Sequence, residues 1–567
     1  MTRLILPSAI LLILAPITCA TPNPSAVYCA QCGYEYQTRT DQTGSQYGWC
    51  IFPDGSECTA WSFWYRCHGT DCSQVSCDCH WPCPGPATII YVDADATGAN
   101  NGSSWADAHT CLQDALIAAK AGDKPVEIRV AQGLYRPDQR MHQSTGDRDA
   151  AFELLNDTTI KGGFAGFGET DPNKRDIARY ETILTGDLAG NDAPPTDPRT
   201  LPNNLTRAEN SYHIVVSLVN DATAGIDGFT ITAGNANGST YTQTYGGGMY
   251  VDSSNAVIAN CSFKFNSSSG RGGGFYSQSG KNTLFRCKFH HNISWLGGGL
   301  CAYQLQRIDD CTFENNIATL NGGGMWGRSR QVSACSFIAN HADSSGGGLF
   351  NTGNAALTNG LIAHNHADRG GGMYAEDCDI SISNCTFAHN SADDHGGLYN
   401  DEGETVVTNS IFWANTAASG STESAQIDTH FVPEIDYCCI EGFSGSLGGT
   451  GNLDADPLFA DPNATDFHLK SQAGRYNPRL DVWDTDNLTS PCIDAGDQTA
   501  SIGYESFPNG ARVNMGAYGA TAQASKSYFD TGPCQVILIG DINGDCKVDF
   551  TDFTLMSINW LADSGPQ

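Results

Sequence analysis

Between residues 246 and 415 one arrangement of glycine, apolar and polar positions recurs about every 25 residues. Three glycines open each unit at Gly246, Gly272, Gly297, Gly322, Gly346 and Gly370, with a degenerate seventh at His395-Gly396-Gly397, so the steps are 26, 25, 25, 24, 24 and 25. An apolar residue follows each run: Met249, Phe275, Leu300, Met325, Leu349, Met373 and Leu398. Three further columns keep the same steps. One is aliphatic (Ile258, Leu284, Ile308, Val332, Leu357, Ile382, Val407) and one is rich in cysteine (Cys261, Cys287, Cys311, Cys335, Gly360, Cys385, Ser410). The third is aromatic (Phe263, Phe289, Phe313, Phe337, Ile362, Phe387, Phe412), with an asparagine three positions on at Asn266, Asn292, Asn316, Asn340, Asn365, Asn390 and Asn415. A unit this short cannot bury its own apolar face, whereas stacked units share one continuous core.

The elements within a unit are strands. Three successive glycines would cost a helix about 2 to 3 kcal/mol relative to alanine, and stretches such as Asp379 to Ser383 alternate apolar and polar with period two. Glycine and asparagine between them accept positive φ at tight corners. Each unit therefore reads as one coil of a parallel β-helix. The asparagines are expected to stack as a structural ladder, and the aromatic, aliphatic and cysteine columns to fill the interior as buried residues. A leucine-rich repeat has a similar period but lacks Gly-Gly-Gly corners.

The pairing of Gly-Gly-x-apolar with Phe-x-x-Asn resembles the repeats of the polymorphic outer membrane proteins. It appears as Phe263 to Asn266, Phe289 to Asn292, Phe313 to Asn316, Phe337 to Asn340, Phe387 to Asn390 and Phe412 to Asn415, within residues 240 to 415. The resemblance implies an all-β, right-handed, pectate-lyase-like parallel β-helix at a bacterial surface, and carries no catalytic residue. No segment of this sequence matches the membrane β-barrel of that family, so another attachment is expected.

Composition narrows the setting. Arg3, the apolar run Leu4 to Ile17 and Thr18-Cys19-Ala20 form a secretory signal over 1–20, which implies a secreted, extracellular or outer-membrane-associated location. No later apolar run approaches the eighteen residues of a membrane helix, so a soluble mature protein is expected. Acidic residues outnumber basic ones 62 to 30, for a formal charge of −32, which argues against nucleic acid or anionic membrane as partner. Nine cysteines between Cys29 and Cys83 read, in an exported chain, as a disulfide module over 21–86.

Pro84-Gly85-Pro86 marks the next boundary. A strand Thr88 to Val92 and a helix Ala108 to Ala121 follow, with Leu112, Ala115, Leu116 and Ala119 on one face, Gly122 ending the helix and a strand from Val126 to Ala131 after it. This arrangement is similar to the N-terminal cap of pectate-lyase-like β-helices, placing the helical region over 87–450. Asn191 to Asn204, rich in Pro, Asp and Thr, reads as a loop leaving the solenoid. Over 451–530, four landmarks occur in order: Asp456-Pro457-Leu458-Phe459, Asp466-Phe467-His468-Leu469, Ser490-Pro491-Cys492-Ile493-Asp494-Ala495-Gly496 and Asn514-Met515-Gly516-Ala517-Tyr518-Gly519. They resemble the choice-of-anchor Q segment, which implies a closing segment ahead of an attachment module.

Within 531–567, Asp541, Asn543, Asp545, Asp549 and Asp552 stand at positions 1, 3, 5, 9 and 12 of a twelve-residue loop, with the Lys547 carbonyl at position 7. That is the spacing with which an EF-hand loop wraps Ca²⁺. With Asp at position 12 and a following helix face of Phe553, Met556 and Trp560, the segment resembles half of a type I dockerin and implies a cohesin-like partner. Cys546 replaces the usual turn glycine.

The residue after each apolar column member is Tyr250, Tyr276, Cys301, Trp326, Phe350, Tyr374 or Tyr399. Period two points this set outward, so the six aromatic members are expected to form an exposed stripe able to stack on sugar rings of a polysaccharide or other surface ligand. Catalytic carboxylates are sparse: Asp309-Asp310 and Asp393-Asp394-His395 are the pairs in the regular coils, while Arg271, Arg328, Arg330 and Arg369 read as a solvated outer face. The expectation is an extracellular scaffold that binds glycan, with a polysaccharide lyase or glycoside hydrolase as the alternative.

Overall fold

A computed structural model describes residues 35–40, 46–51, 57–59, 87–141, 143–144, 146–193 and 197–528. The expected secretory signal, most of the cysteine-rich stretch and the expected calcium loop at 541–552 lie outside the described residues. The chain divides into two units, Met1–Ala87 and Thr88–Gln567. In the first, strands Glu35–Thr40, Gln46–Ile51 and Glu57–Thr59 form an antiparallel sheet whose register pairs position 50 with position 58.

The second unit is a parallel β-helix. Among the described residues its coils contribute to parallel sheets of 21, 11 and 7 strands, and the columns predicted from the repeat are in register. Ile258 pairs in turn with Leu284, Ile308, Val332, Leu357, Ile382 and Val407 along one sheet. Phe263, Phe289 and Phe313 pair along the second. Their rings stack 4.8 Å apart at 5° and 7°, the spacing of adjacent strands. The aromatic column also extends backward to Ile231, Leu184 and Tyr135 and forward to Ile440, positions that carry no Phe-x-x-Asn signature.

Two ladders fix this register. Asn340, 1% exposed, donates from Nδ2 to Phe313 O (2.9 Å) and to Asn365 Oδ1 (3.0 Å), while its own Oδ1 accepts from the backbone N and Nδ2 of Asn316, both at 3.0 Å. The same bonds repeat from Asn266 to Asn415. Ile362 does not interrupt them, because Asn390 needs only the Ile362 carbonyl. The cysteine column is buried as expected, yet it also hydrogen-bonds: Cys287 N donates to Cys311 Sγ at 3.4 Å, and Cys385 N donates to Ser410 Oγ at 3.1 Å. Serine ends the column without loss of that acceptor.

The glycines serve two needs, which overlap at the first position, where a Cβ on Gly346 would lie 2.6 Å from Leu349 O. The first of each triplet has φ between 60° and 70°, and His395 takes the same conformation at 60°. The second and third sit where backbone meets backbone: a Cβ on Gly323 would lie 2.4 Å from Gly347 O, and one on Gly324 2.6 Å from Gly348 O.

At the N-terminal end, helix α1 (Leu112–Ala121) buries Leu112, Ala115, Leu116 and Ala119 and ends at Gly122. It begins four residues later than the sequence pattern indicates, because His109 bridges to Val92 as extended chain. The landmarks after residue 450 form a packed layer: Phe459, Phe467, Leu469, Cys492, Ile493, Met515 and Ala517 cluster with Leu361, Ala363, Ala388 and Ile411. These four lie on the outer face of the aromatic-column strands, so the segment runs along the flank of the last coils. Asn359 Nδ2 donates to Ala517 O (3.0 Å) and Gly519 O (2.7 Å), and Gly516 N to Asn409 O (2.8 Å).

Candidate functional site

The six aromatic residues expected to form an exposed stripe are aligned by strand register: Tyr250 pairs with Tyr276, Trp326 with Phe350, and Tyr374 with both Phe350 and Tyr399. Their exposure departs from expectation. Tyr250, Tyr276, Phe350 and Tyr374 are only 5, 0, 3 and 2% exposed, and only Trp326 and Tyr399 remain partly open. Period two does point the set away from the core, but the rings shield one another. Phe350 stacks on Tyr374 at 5.0 Å, and His395 stacks on Tyr399 at 4.2 Å. At the other end Tyr245 covers Tyr276 at 4.8 Å and is itself capped by Tyr241 at 4.4 Å. Burial pushes the Tyr245 and Tyr374 phenols up to about 12, so they stay neutral donors. Tyr374 and Tyr399 share Asp401 as acceptor, each at 3.1 Å.

The stripe opens where the coil geometry is irregular. Strand Leu300–Asp309 runs ten residues and spans two strand columns that are separate in neighbouring coils, and its register shifts against both neighbours. Gly327, at φ 151°, allows the next strand to approach; a Cβ there would lie 2.0 Å from Ala302 O. The displaced corner leaves a cleft of about 310 Å³ lined by Lys281, Tyr303, Gln304, Leu305, Arg328, Ser329, Arg330, Gly353 and Asn354. Tyr303 meets Trp326 edge-on at 5.3 Å and lies under the Arg271 guanidinium at 5.2 Å. The cleft thus adjoins one of the two open rings of the stripe.

Its electrostatics run against those of the chain. Lys281, Arg328 and Arg330 are exposed, no carboxylate lines the cleft, and among the described residues none is ion-paired with these three cations. Arg328 makes one long side-chain bond among the described residues, Nε to Thr352 Oγ1 at 3.4 Å. Nearby arginines are occupied: Arg286 with Asp310 at 3.0 Å, and Arg307 with Asp309 at 2.9 Å. That pairing also consumes the first carboxylate pair considered as catalytic. In the second, Asp393 and Asp394 are exposed, and His395 Nδ1 contacts Asp428 at 3.1 Å. Of the four arginines read as a solvated face, Arg328 and Arg330 form the cleft, while Arg271 and Arg369 lie over Tyr303 and Tyr374. The sequence offered one signal for this, the Arg-Ser-Arg triplet at 328 to 330, but the displaced corner that isolates it comes from strand register. The calcium-loop residues Asp541, Asn543, Asp545, Lys547, Asp549 and Asp552 lie outside the described residues.

The stacked coils decide the comparison with known families. Residues 209–358 and 280–433 match the model of a right handed beta helix region. The β-helix is thus right-handed, as the resemblance to the polymorphic outer membrane protein repeats implied. Residues 404–496, spanning the last coils and the start of the flank segment, match a disaggregatase related model, and residues 20–66 match a domain of unknown function, DUF333. A curated uncharacterized protein of Archaeoglobus fulgidus is 39% identical over 64 residues, which is 11% of this chain and 30% of that protein. The chain therefore spans less than a third of the length of that relative.

Proposed function

We propose that this chain is an extracellular or cell-surface β-helix scaffold that binds an acidic polysaccharide in the cleft around Arg328. One observation carries the reading: three cations with no carboxylate partner among the described residues line one cleft in a chain of net charge −32. Such a cleft selects anionic ligands by charge complementarity. Tyr303 and the adjoining Trp326 offer ring faces for sugar stacking, and Gln304 and Asn354 offer amides for hydroxyl groups. The secretory signal delivers the chain outside the cell, and the 541–552 loop, bound to calcium, docks it to a cohesin-like partner.

Affinity electrophoresis of the full mature chain through gels containing polygalacturonate, a sulfated glycan or neutral dextran tests this reading. Selective retardation by an acidic polymer is expected; equal retardation by dextran, or none by any polymer, would overturn it. The disaggregatase related match favours a second reading, an enzyme that cleaves the bound polymer. Measuring new reducing ends and unsaturated uronates in the same mixtures separates the two.

A further inference from the structure

The excursion between strands Thr182–Thr185 and Val215–Leu218 brings Asp187, Asp192 and Glu209 together, with one oxygen from each no more than 4.8 Å from the others. Two oxygens on opposite sides of a calcium ion are about 4.8 Å apart at a Ca–O distance of about 2.4 Å. The three residues are half-buried.

The Asp187 and Asp192 oxygens accept hydrogen bonds from Gly190 N, Asn191 N, Asp192 N, Thr206 Oγ1 and Asn210 Nδ2, but two oxygens beside them are left without a partner. Asn210 is fully buried, and its carboxamide reaches the cluster, Nδ2 donating to Asp192 Oδ2 at 2.7 Å; its Oδ1 is buried without a hydrogen-bond partner. Glu209 Oε1 is likewise buried and unpartnered. A carboxylate oxygen and an amide oxygen both withdrawn from water beside two more carboxylates carry a desolvation cost that a bound cation would offset.

Arg207 is the neighbouring cation, and it does not complete the group. Its Nη2 donates to Gly234 O at 2.8 Å and Ser267 Oγ at 3.3 Å, while Nη1 makes a long ion pair with Asp192 at 3.6 Å, so this one charge faces all three carboxylates. Three carboxylates less one guanidinium leave a formal charge of −2. An all-oxygen donor set of that charge suits a hard divalent cation.

We propose that Asp187, Asp192, Glu209 and Asn210 bind one calcium ion, which pins this excursion against the flank of the coils. The excursion already rests there through Leu201, which packs with Ile293 and Ile317. The site is separate from the loop at 541–552, and it does not depend on the polysaccharide reading.

Because the terminal loop is itself expected to bind calcium, the test uses the full mature chain carrying D541N and D552N, with and without the near-isosteric pair D192N and E209Q. Calorimetric titration with CaCl₂ should give one binding event in the first protein and none in the second. Trypsin cleavage after the exposed Arg199 should slow at least fivefold on adding calcium in the first protein only. Equal calcium binding by both proteins, or no binding and no protection in the first, would overturn the proposal. Should the second protein fail to fold, the first still decides, since calcium that binds without protecting Arg199 would place the ion elsewhere.

Discussion

Gln426 takes the place of an eighth asparagine beyond Asn415. Its Oε1 accepts from the Asn415 backbone N at 3.2 Å and from Asn415 Nδ2 at 2.8 Å, and its Nε2 returns a bond to Asn415 O at 2.9 Å. The longer side chain reaches the ladder from helical residues Glu423–Gln426, where the chain has already left the repeat. The last rung is thereby satisfied in a buried position.

The interior of this ladder should be the most sensitive part of the molecule. Replacing Asn340 by alanine leaves Asn316 N and one of the two Asn316 Nδ2–H groups, whose other still reaches Phe289 O, without an acceptor, each worth about 1 to 3 kcal/mol when buried, and withdraws a donor from Phe313 O and from Asn365 Oδ1. Asn340→Ala is expected to lower stability by more than about 3 kcal/mol, read as a fall in the urea midpoint. Gln426→Ala removes three comparable bonds to Asn415, but at the end of the ladder, so its loss of protection in hydrogen exchange should be confined to Asn415 and its neighbours, whereas that of Asn340→Ala should spread to coils on both sides. Equally local losses for the two would contradict the ladder account.

The two roles of the glycine triplet separate in a second pair of variants. Gly346→Asn keeps a residue type that tolerates positive φ, and His395 shows that a side chain fits the equivalent corner. Gly347→Ala places a Cβ 2.4 Å from His366 O and 2.5 Å from Gly371 O. Both variants must displace backbone, since a Cβ on Gly346 would itself lie 2.6 Å from Leu349 O, but that corner need only move toward the geometry His395 already adopts, so the asparagine variant should lose less than the several kcal/mol expected of the alanine variant. Thermal unfolding of both proteins checks the order.

Glu505 sets a pH dependence in the flank segment. Burial pushes its carboxyl up to about 7 from the ordinary 4.5, although Oε1 accepts from Asn514 N and Ala520 N at 2.8 and 2.9 Å. Between these values the folded state binds more protons than the unfolded one, so this group's contribution to stability falls as pH rises through 4.5 to 7. Glu505→Gln keeps the acceptor and removes the charge. It should be stabilising at pH 8, by at most about 3 kcal/mol, and near neutral at pH 4. A variant whose gain is independent of pH would exclude this cause.

Arg328 and Arg330 are exposed and make no ion pair among the described residues, so removing both should leave the melting temperature within about 1 °C. Binding of an acidic polymer should weaken about tenfold in R328A/R330A, and the wild-type protein should lose affinity steeply between 50 and 300 mM salt. Unchanged affinity, or affinity insensitive to salt, would remove the cleft from the binding site. Trp326→Ala should weaken the same complex without altering its salt dependence.

The fold was legible because stacking imposes one period on every column: Ile258, Cys261, Phe263 and Asn266 each announce a rung, and the register follows from counting. The early coils were less so, since Tyr135, Leu184 and Ile231 occupy the aromatic column without its motif. The exposed stripe was misread at a definable point. Alternation shows that Tyr276 faces away from the core, but not that Tyr245 arrives from another coil to cover it. The cleft was hidden for a similar reason, as a register shift in Leu300–Asp309 changes no residue type. One available signal was missed: the residues flanking the aromatic column change from Ser262 and Lys264, or Thr312 and Glu314, to Leu361 and Ala363. That change marks where the flank becomes covered.

The same change divides the solenoid into two kinds of coil. Where that flank is polar no segment returns along it, and once past Ile293 and Ile317, which Leu201 covers on another flank, a coil answers only to the one before and the one after it, so that another copy could be spliced in between Ile317 and Asn340. From Leu361 onward each coil is also matched to a fixed point on the segment that returns along it, as Asn359 is to Ala517 and Asn409 to Gly516. Lengthening by duplication is therefore open to the first part of this molecule and closed to the second, where one added coil would carry every later contact out of step.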